Sequence, residues 1–190
     1  MSGVQHNFTS YSICILQLSA MGNTKESRLS GEALAKRRSL GVVVGVMLAV
    51  AAADQIVKQI MVTSLTPGVP VPVIGDWARL YLLFNPGAAF SMGQNSTWLF
   101  TAIQLAFVVG ALIYAPRLAG RWETVGVALI AGGALGNLID RLTREPGFWF
   151  GHVVDYISIG SFAVFNLADA AITIGVAVVV ISMFAKEARS

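Results

Sequence analysis

The chain has 190 residues, of which 55% are apolar and 12% charged, and its mean hydropathy is +0.69. Soluble domains carry about 25% charged residues, so this composition indicates an integral membrane protein. The single cysteine excludes an internal disulfide framework and any site built from several cysteines. Only two histidines are present, which disfavours a zinc centre built from histidines. We expect no metal and no cofactor, and no nucleic-acid partner.

Four apolar segments are each long enough to cross a bilayer as a helix, which takes roughly 20 residues. They lie near residues 39–62, 97–115, 122–140 and 162–184. Core helices of soluble proteins are rarely apolar on all faces. The sequence therefore predicts an all-α integral membrane protein with four transmembrane helices.

Basic residues are distributed unevenly between the two sides of this topology. Nine of the thirteen Lys and Arg residues share one side: Lys25, Arg28, Lys36, Arg37, Arg38, Arg117, Arg121, Lys186 and Arg189. An excess of Lys and Arg is typical of cytoplasmic segments. We therefore expect both termini and the middle turn to be cytoplasmic in a multi-pass protein of the bacterial plasma membrane.

The segment before the first span has a different composition from the rest. Residues 1–38 mix Ser, Gly, Lys and Glu with little periodicity, which is typical of a solvated tail. We expect a disordered cytoplasmic tail over 1–38 and a four-helix membrane domain over 39–186. Met21 is an alternative start of the protein.

A second interpretation of the first span stays open. Lys36-Arg37-Arg38, the apolar run from Leu40 and the small residues Ala51-Ala52-Ala53 together imitate a cleavable secretory signal. A further apolar run and charged residues follow directly, and the preceding tail is long for a signal sequence. These features favour a permanent span.

The two outer loops contain short segments that do not fit helices. The segment 69–73 alternates valine with proline, which removes backbone donors and disfavours helix. Residues 79–84 have a strand pattern that ends at the turn Asn85-Pro86-Gly87, and 153–157 form another β-like run. We expect a small extracytoplasmic β-sheet that forms a cradle on the membrane surface.

Polar residues concentrate at the outer ends of three spans, where charged groups are costly unless they face a bundle interior or water. Their spacing puts each set on one helix face: Asp54 with Lys58, Asn137 with Asp140 and Arg141, and Asn166 with Asp169 and Thr173. Asp155 precedes the fourth span at the same depth. The topology therefore brings several polar groups to one layer near the outer surface.

Two carboxylates are the chemical pair that this layer offers. The chain has no Gly-x-Ser-x-Gly, His-Glu-x-x-His or P-loop pattern, which excludes those nucleophile, zinc and nucleotide sites. Two close carboxylates share a proton, so one activates a water while the other donates toward a peptide carbonyl. Asp169 is one candidate, because burying an unpaired carboxylate inside an apolar span costs free energy. Asp155, which lies at the same depth, is the other.

Several of the polar and small residues have simpler structural interpretations. Asp140 with Arg141, and Asp54 with Lys58, fit ion pairs that anchor helix ends. Gly132-x-x-x-Gly136 fits close helix packing. His152 fits a solvated loop residue as well as a substrate contact, and Asp155 fits an ordinary strand end.

Five blocks of sequence resemble the lipoprotein signal peptidases, also called signal peptidase II, over residues of about 40–185. The blocks are Asp54-Gln55 with Lys58, Phe84-Asn85-Pro86-Gly87-Ala88-Ala89-Phe90-Ser91, Gly136-Asn137-Leu138-Ile139-Asp140-Arg141, His152-Val153-Val154-Asp155-Tyr156 and Phe165-Asn166-Leu167-Ala168-Asp169. The resemblance implies a membrane aspartic endopeptidase that removes the signal peptide of prolipoproteins just before a diacylglyceryl-modified cysteine. It also implies inhibition by the cyclic peptide globomycin.

The resemblance implies a role for each polar position. The catalytic dyad corresponds to Asp155 and Asp169, and the substrate-contacting positions correspond to Asn85, Gly87, Asn137, Arg141 and Asn166. Asp54, Lys58 and Asp140 correspond to supporting positions, with Asp140 orienting Arg141 or its neighbours. We expect the partners to be a lipid-modified prolipoprotein and membrane lipids, and the protein to act as a monomer.

Two rival interpretations belong to other classes of protein. In a proton-conducting transporter, Asp54, Asp140 and Asp169 would relay protons, but such groups would be spread through the membrane depth. A scaffolding protein would use the glycine-rich third span for packing, but it would leave Asp169 unexplained.

Overall fold

The computed structural model describes residues 5–87 and 97–188, with side chains described from residue 30 onward. Helix α1 spans Gln5–Ser64, followed by strands β1 (Val71–Ile74) and β2 (Ala78–Asn85). Helices α2 (Thr97–Tyr114) and α3 (Arg121–Thr143) are joined by a 3₁₀ turn at Ala115–Arg117, and strand β3 (Val153–Ile159) and helix α4 (Leu167–Glu187) complete the fold. The prediction of four membrane helices with a small sheet is confirmed, because α1 to α4 each contain a segment long and apolar enough to cross a membrane.

Helix α1 begins well before the first span that the sequence analysis proposes. The chain has no proline before Pro67, so no residue of α1, which extends to Ser64, lacks the backbone amide hydrogen that a helix needs. The segment expected to be a disordered tail is therefore helical from Gln5, and residues 1–4 lie outside the described part. The domain boundary at residue 39 stays a prediction.

Helix α4 begins later than the sequence analysis proposes, at Leu167 rather than residue 162. Phe165 is held in extended backbone, because its carbonyl accepts hydrogen bonds from the Tyr156 and Ile157 amides at 3.1 and 2.8 Å. Asn166 then caps the helix through its side chain, which accepts from the Asp169 amide at 3.0 Å. Asn166 therefore lies at the mouth of the span and not inside it.

Helix α3 is the central helix of the bundle. About 61% of its apolar window is buried, against 17–22% for the other three helices. It packs against α1, α2 and α4, and its small residues allow close approach. A Cβ atom added at Gly132 would lie 2.7 Å from Val50 Cβ, and one at Gly136 would lie 2.6 Å from Asp54 Oδ2. The predicted packing role of these two glycines is confirmed.

The three strands form one antiparallel sheet in the order β1-β2-β3. Its inner face buries Leu82, Val154 and Tyr156 against the last turns of α1, including Val57 and Met61. The sheet therefore covers the end of the bundle at which α1 and α3 carry their buried charged residues, Asp54, Lys58, Asp140 and Arg141. This contact fixes the position of β3 and therefore the positions of the side chains that β3 carries.

Candidate active site

Asp155 and Asp169 come from different elements and meet through one asparagine. Asp155 lies in the middle of β3 and is 1% exposed, whereas Asp169 lies in the first turn of α4 and is half-buried. The Asn166 side-chain nitrogen donates to Asp155 Oδ1 at 2.7 Å, and the Asn166 backbone amide donates to Asp169 Oδ2 at 3.2 Å. One residue therefore contacts both carboxylates.

The register of the sheet brings Asn85 to Asp155. Asp155 pairs with Leu83 and Val153 pairs with Asn85, so Asn85 and Asp155 are diagonal neighbours on one face. The Asn85 amide donates to Asp155 Oδ2 at 2.8 Å. Both oxygens of the Asp155 carboxyl group are therefore hydrogen-bonded by asparagine side chains.

Gly87 follows Asn85 in a turn that requires glycine. Its φ angle is +103°, and a Cβ atom there would lie 2.6 Å from the Phe100 ring. The Gly87 amide donates to the Asn85 side-chain oxygen at 2.8 Å, which fixes the direction in which the Asn85 nitrogen points. The rest of that sequence block, residues 88–91, lies outside the described residues.

Asn137 connects the second carboxylate to a buried cation. Its side-chain nitrogen donates to Asp169 Oδ1 at 2.8 Å, while its oxygen accepts from Lys58 Nζ at 2.8 Å and from Asn166 Nδ2 at 3.1 Å. An amide oxygen cannot donate, so these two donors determine which end of the amide faces Asp169. The orientation of Asn137 is thereby fixed.

Lys58 is fully buried between two carboxylates. Its Nζ atom lies 2.8 Å from Asp54 Oδ2 and 2.8 Å from Asp140 Oδ2, and all three side chains have no exposed surface. The predicted pairing of Asp54 with Lys58 is confirmed. A buried charge needs such partners, because its desolvation is otherwise uncompensated.

The interpretation that pairs Asp140 with Arg141 is wrong. Asp140 pairs with Lys58 and with Arg144, whose Nε lies 2.6 Å from Asp140 Oδ1. Residues adjacent in a helix point to different faces, whereas residues four apart share one. Sequence reasoning therefore missed Arg144, although the four-residue spacing could have identified it.

Arg141 instead supports the backbone around the site. Its NH1 atom donates to the carbonyls of Asn85 and Gly151, both at 3.0 Å. The side chain is buried, and its Nε atom has no hydrogen-bond partner among the described residues. Arg141 thus holds the ends of β2 and of the loop before β3 together.

The first turn of α4 is held by two further side chains. Asp54 Oδ1 accepts from the Ala168 amide at 3.0 Å, and the Tyr156 hydroxyl accepts from the Leu167 amide at 3.2 Å. Both satisfy amides that a helix N-terminus leaves unpaired. Sequence reasoning gave Tyr156 no role, and a tyrosine in a strand carries no signal that would assign one.

Burial raises the pKa of Asp155 from 3.8 to about 7, because an ionised carboxylate loses its hydration there. The charge of nearby Asp169 raises this pKa further, whereas the hydrogen bonds from Asn85 and Asn166 lower it. Asp155 therefore holds a proton over much of the range below neutral pH. A carboxylic acid beside a second carboxylate can donate a proton where that partner accepts one.

The chain is similar to one known protein family over most of its length. The family model described as signal peptidase (SPase) II matches residues 46–185. A lipoprotein signal peptidase of Rhodococcus jostii (strain RHA1) is 44% identical over 146 residues, which cover 77% of this chain and 72% of the relative. A lipoprotein signal peptidase of Mycobacterium avium (strain 104) is 45% identical over 148 residues, which cover 77% of this chain and 81% of the relative.

A solved structure has the same fold. It is described as a bacterial membrane enzyme, determined by the in meso method at 2.3 Å resolution, and superposes with a TM-score of 0.69 at 28% identity. The match covers 79% of this chain and 92% of the other. The four membrane helices and the sequence matches agree, and the chain belongs to the signal peptidase II family.

Proposed function

We propose that this protein removes the signal peptide from prolipoproteins by cutting just before the diacylglyceryl-modified cysteine, with Asp155 and Asp169 as its catalytic dyad. Membership of the signal peptidase II family supports the reaction and the substrate class. The observation that supports the dyad is the position of Asn166, which hydrogen-bonds both carboxyl groups at once. No other pair of carboxylates in the described part of the chain shares a donor in this way without an intervening cation.

The two carboxyl groups have environments that suit different tasks. Asp155 is nearly inaccessible to solvent and its pKa is raised to about 7, so it serves as the acid. Asp169 is half-buried at the N-terminus of α4, where the helix dipole favours a negative charge, so it serves as the base. Asp169 takes a proton from water, the water oxygen attacks the peptide carbonyl, and Asp155 protonates the carbonyl oxygen to give a gem-diol. Asp169 then gives its proton to the amide nitrogen as the C–N bond breaks. A gem-diol hydroxyl returns a proton to Asp155, so the carboxyl product forms and both aspartates regain their starting states.

The substrate-binding residues are Asn85, Gly87, Asn137, Arg141 and Asn166. A signal peptide in lipid presents backbone carbonyls that need donors, since the bilayer core offers none. Arg141 Nε is a donor with no hydrogen-bond partner among the described residues, so we assign it to such a carbonyl. Asn85 and Gly87 lie where the chain leaves β2, and Asn85 contacts Asp155.

Asp54, Lys58 and Asp140 support this site and do not take part in the chemistry. Two of the three aspartates that a proton relay would need are held in ion pairs with one lysine, and the third accepts from Asn137. The transporter interpretation therefore has no chain of free carboxylates to use. Family membership also disfavours a purely scaffolding role.

The protein is a bacterial membrane protein, and we place both termini in the cytoplasm. Six described cations lie at the end of the bundle opposite the dyad: Lys36, Arg37, Arg38, Arg117, Arg121 and Lys186. This distribution fits the excess of basic residues in cytoplasmic segments. The dyad then lies near the outer face, where the lipid-modified cysteine of a translocated substrate would arrive.

The proposal is tested with purified protein in detergent and a diacylglyceryl-modified prolipoprotein. We expect the wild type to cut before the modified cysteine, Asp155→Asn and Asp169→Asn to be inactive, and globomycin to inhibit the wild type. Asp76→Asn is the matched control, because Asp76 is exposed in the turn between β1 and β2. Activity that survives in either dyad variant would overturn the dyad, and a folded wild type that leaves the substrate intact would overturn the reaction.

A further inference from the structure

A groove lies between the first turn of α3 and the last turns of α4, at the end of the bundle away from the dyad. It encloses about 860 Å³ and is walled on the α4 side by Val178, Ile181, Ser182 and Ala185. Helices α3 and α4 touch at Gly126, where an added Cβ atom would lie 2.9 Å from the Gly175 carbonyl. The groove occupies the space beyond this contact, so it opens along the membrane at the helix ends.

The mouth of the groove carries two cations and an aromatic ring. Arg121 and Lys186 both line it and are exposed, and no ion pair among the described residues neutralises either of them. Arg121 Cζ lies 5.9 Å from the centre of the Trp122 ring, which is 64% exposed. Tryptophan beside a cation at a helix end is typical of the headgroup layer of a membrane.

One acidic residue, Glu123, also lines the groove. An added Cβ atom at Gly120 would lie 3.5 Å from Glu123 Oε2, so this carboxylate folds back toward the start of α3. A carboxylate suits that position because the N-terminus of a helix is partly positive. Among the described residues no ion pair joins Glu123 to Arg121 or Lys186, so the two cations at the mouth stay available to a negatively charged ligand.

We infer that this groove binds an anionic phospholipid of the inner leaflet. The phosphate group would lie between Arg121 and Lys186, and an acyl chain would lie along Val178 and Ile181. An apolar wall that ends in two unpaired cations matches a molecule with an apolar chain and an anionic head. The surrounding cations Lys36, Arg37, Arg38 and Arg117 add attraction for an anionic membrane surface.

The groove is separate from the catalytic end. Arg121 precedes Asn137 by sixteen residues of one helix, so the two lie roughly 24 Å apart along its axis. Removing the groove cations should therefore leave the dyad and its hydrogen bonds unchanged. This separation allows lipid binding to be measured independently of proteolysis.

The test uses native mass spectrometry of protein purified in detergent and mixed with equal amounts of phosphatidylglycerol and phosphatidylcholine. We expect the wild type to retain phosphatidylglycerol preferentially, and the double variant Arg121→Gln/Lys186→Gln to lose roughly tenfold of that preference. The matched control is Arg37→Gln/Arg117→Gln, which removes the same charge at the same end outside the groove. Cleavage of prolipoprotein by all three proteins verifies that each is folded.

Two competition measurements distinguish a phospholipid from free phosphate as the source of the negative charge. Diacylglycerol, which lacks the phosphate, should not compete with phosphatidylglycerol, and inorganic phosphate should compete only weakly because it lacks the acyl chains. Equal retention of the two lipids by the wild type, or equal loss in both double variants, would overturn the site. Full displacement by inorganic phosphate would overturn the lipid as its ligand.

Discussion

The Lys58 ammonium donates a 2.8 Å hydrogen bond to the side-chain oxygen of Asn137, and this contact joins the buried ion pairs to the proposed dyad. It leaves the Asn137 nitrogen facing Asp169, to which it donates at 2.8 Å. Lys58 thus acts on Asp169 through the orientation of one amide. The ion pairs that the sequence suggests as helix anchors are therefore also part of the support of the site.

Replacing Lys58 with methionine should destabilise the protein strongly. The Asp54 and Asp140 carboxylates would remain buried without their cation, and breaking a buried pair in this way costs about 3–5 kcal/mol. The measurement is the free energy of unfolding by denaturant in detergent micelles. Lys36→Met is the control, because Lys36 is exposed in α1.

A triple variant separates loss of charge balance from loss of packing. In Lys58→Met/Asp54→Asn/Asp140→Asn no uncompensated charge is left among these three positions, so much of the lost stability should return, less the contribution of the broken Asp140–Arg144 ion pair. A single variant as stable as Lys36→Met, or a triple variant no better than the single one, would contradict the account.

The activity should fall as pH rises above neutrality. The pKa of Asp155 is raised to about 7, so the proton that it donates is present below that pH and is lost as pH increases through it. We expect kcat/KM to decline on the basic side with a midpoint near pH 7. The measurement is a pH profile of kcat/KM with a substrate that does not titrate in this range.

The variant Asn85→Ala should move this basic limb to higher pH. The hydrogen bond from Asn85 lowers the pKa of Asp155, so removing it raises that pKa further. The overall rate should also drop, because Asn85 is a proposed substrate contact. Only the midpoint pH of the basic limb reports the pKa of Asp155. Asp76→Asn should leave the limb in place, and a shift of the Asn85→Ala limb to lower pH would refute the assignment.

Asn166→Ser should separate the helix cap from the contact to the dyad. Both substitutions remove the buried Asn166 hydrogen bonds to Asn137 and Asp155, but serine keeps the cap, so Asn166→Ala should be about 1 kcal/mol less stable than Asn166→Ser. Both variants lose the donor to Asp155 Oδ1, and kcat should fall roughly 100-fold in each. Measuring unfolding and kcat on both proteins checks this, and an active, stable Asn166→Ser protein would remove Asn166 from the site.

Gly136→Ala should force helices α1 and α3 apart. The added methyl group would lie 2.6 Å from Asp54 Oδ2, inside the buried ion pair, and overpacking of this kind costs about 1–3 kcal/mol. Gly45→Ala is the control, since a Cβ atom there meets nothing within 4 Å and alanine favours the helix by about 0.5–1 kcal/mol. Comparing the unfolding free energies of the two variants tests the packing, and equal stabilities would exclude it.

Most of the fold follows from local patterns in the sequence. Span length and apolar content predict the four helices, and the valine–proline alternation with the turn at Asn85 predicts the strands near β1 and β2. The errors lie at element ends. Helix α4 begins at Leu167 because Phe165 is bonded to β3, which is a contact distant in sequence that no local pattern records.

The sequence by itself determined which polar residues occur at helical spacing at one end of the bundle. A charged side chain inside an apolar span must face the bundle interior or water. Asp169 was proposed as a catalytic residue in this way, and Asp155 was proposed from its position at the same depth. Only the tertiary structure decided that Asp140 pairs with Lys58 and Arg144, and that Asn166 and Asn137 connect the carboxyl groups. The physical reason is that hydrogen bonds and ion pairs between elements depend on register and helix rotation, which are fixed when the sheet and the bundle pack together.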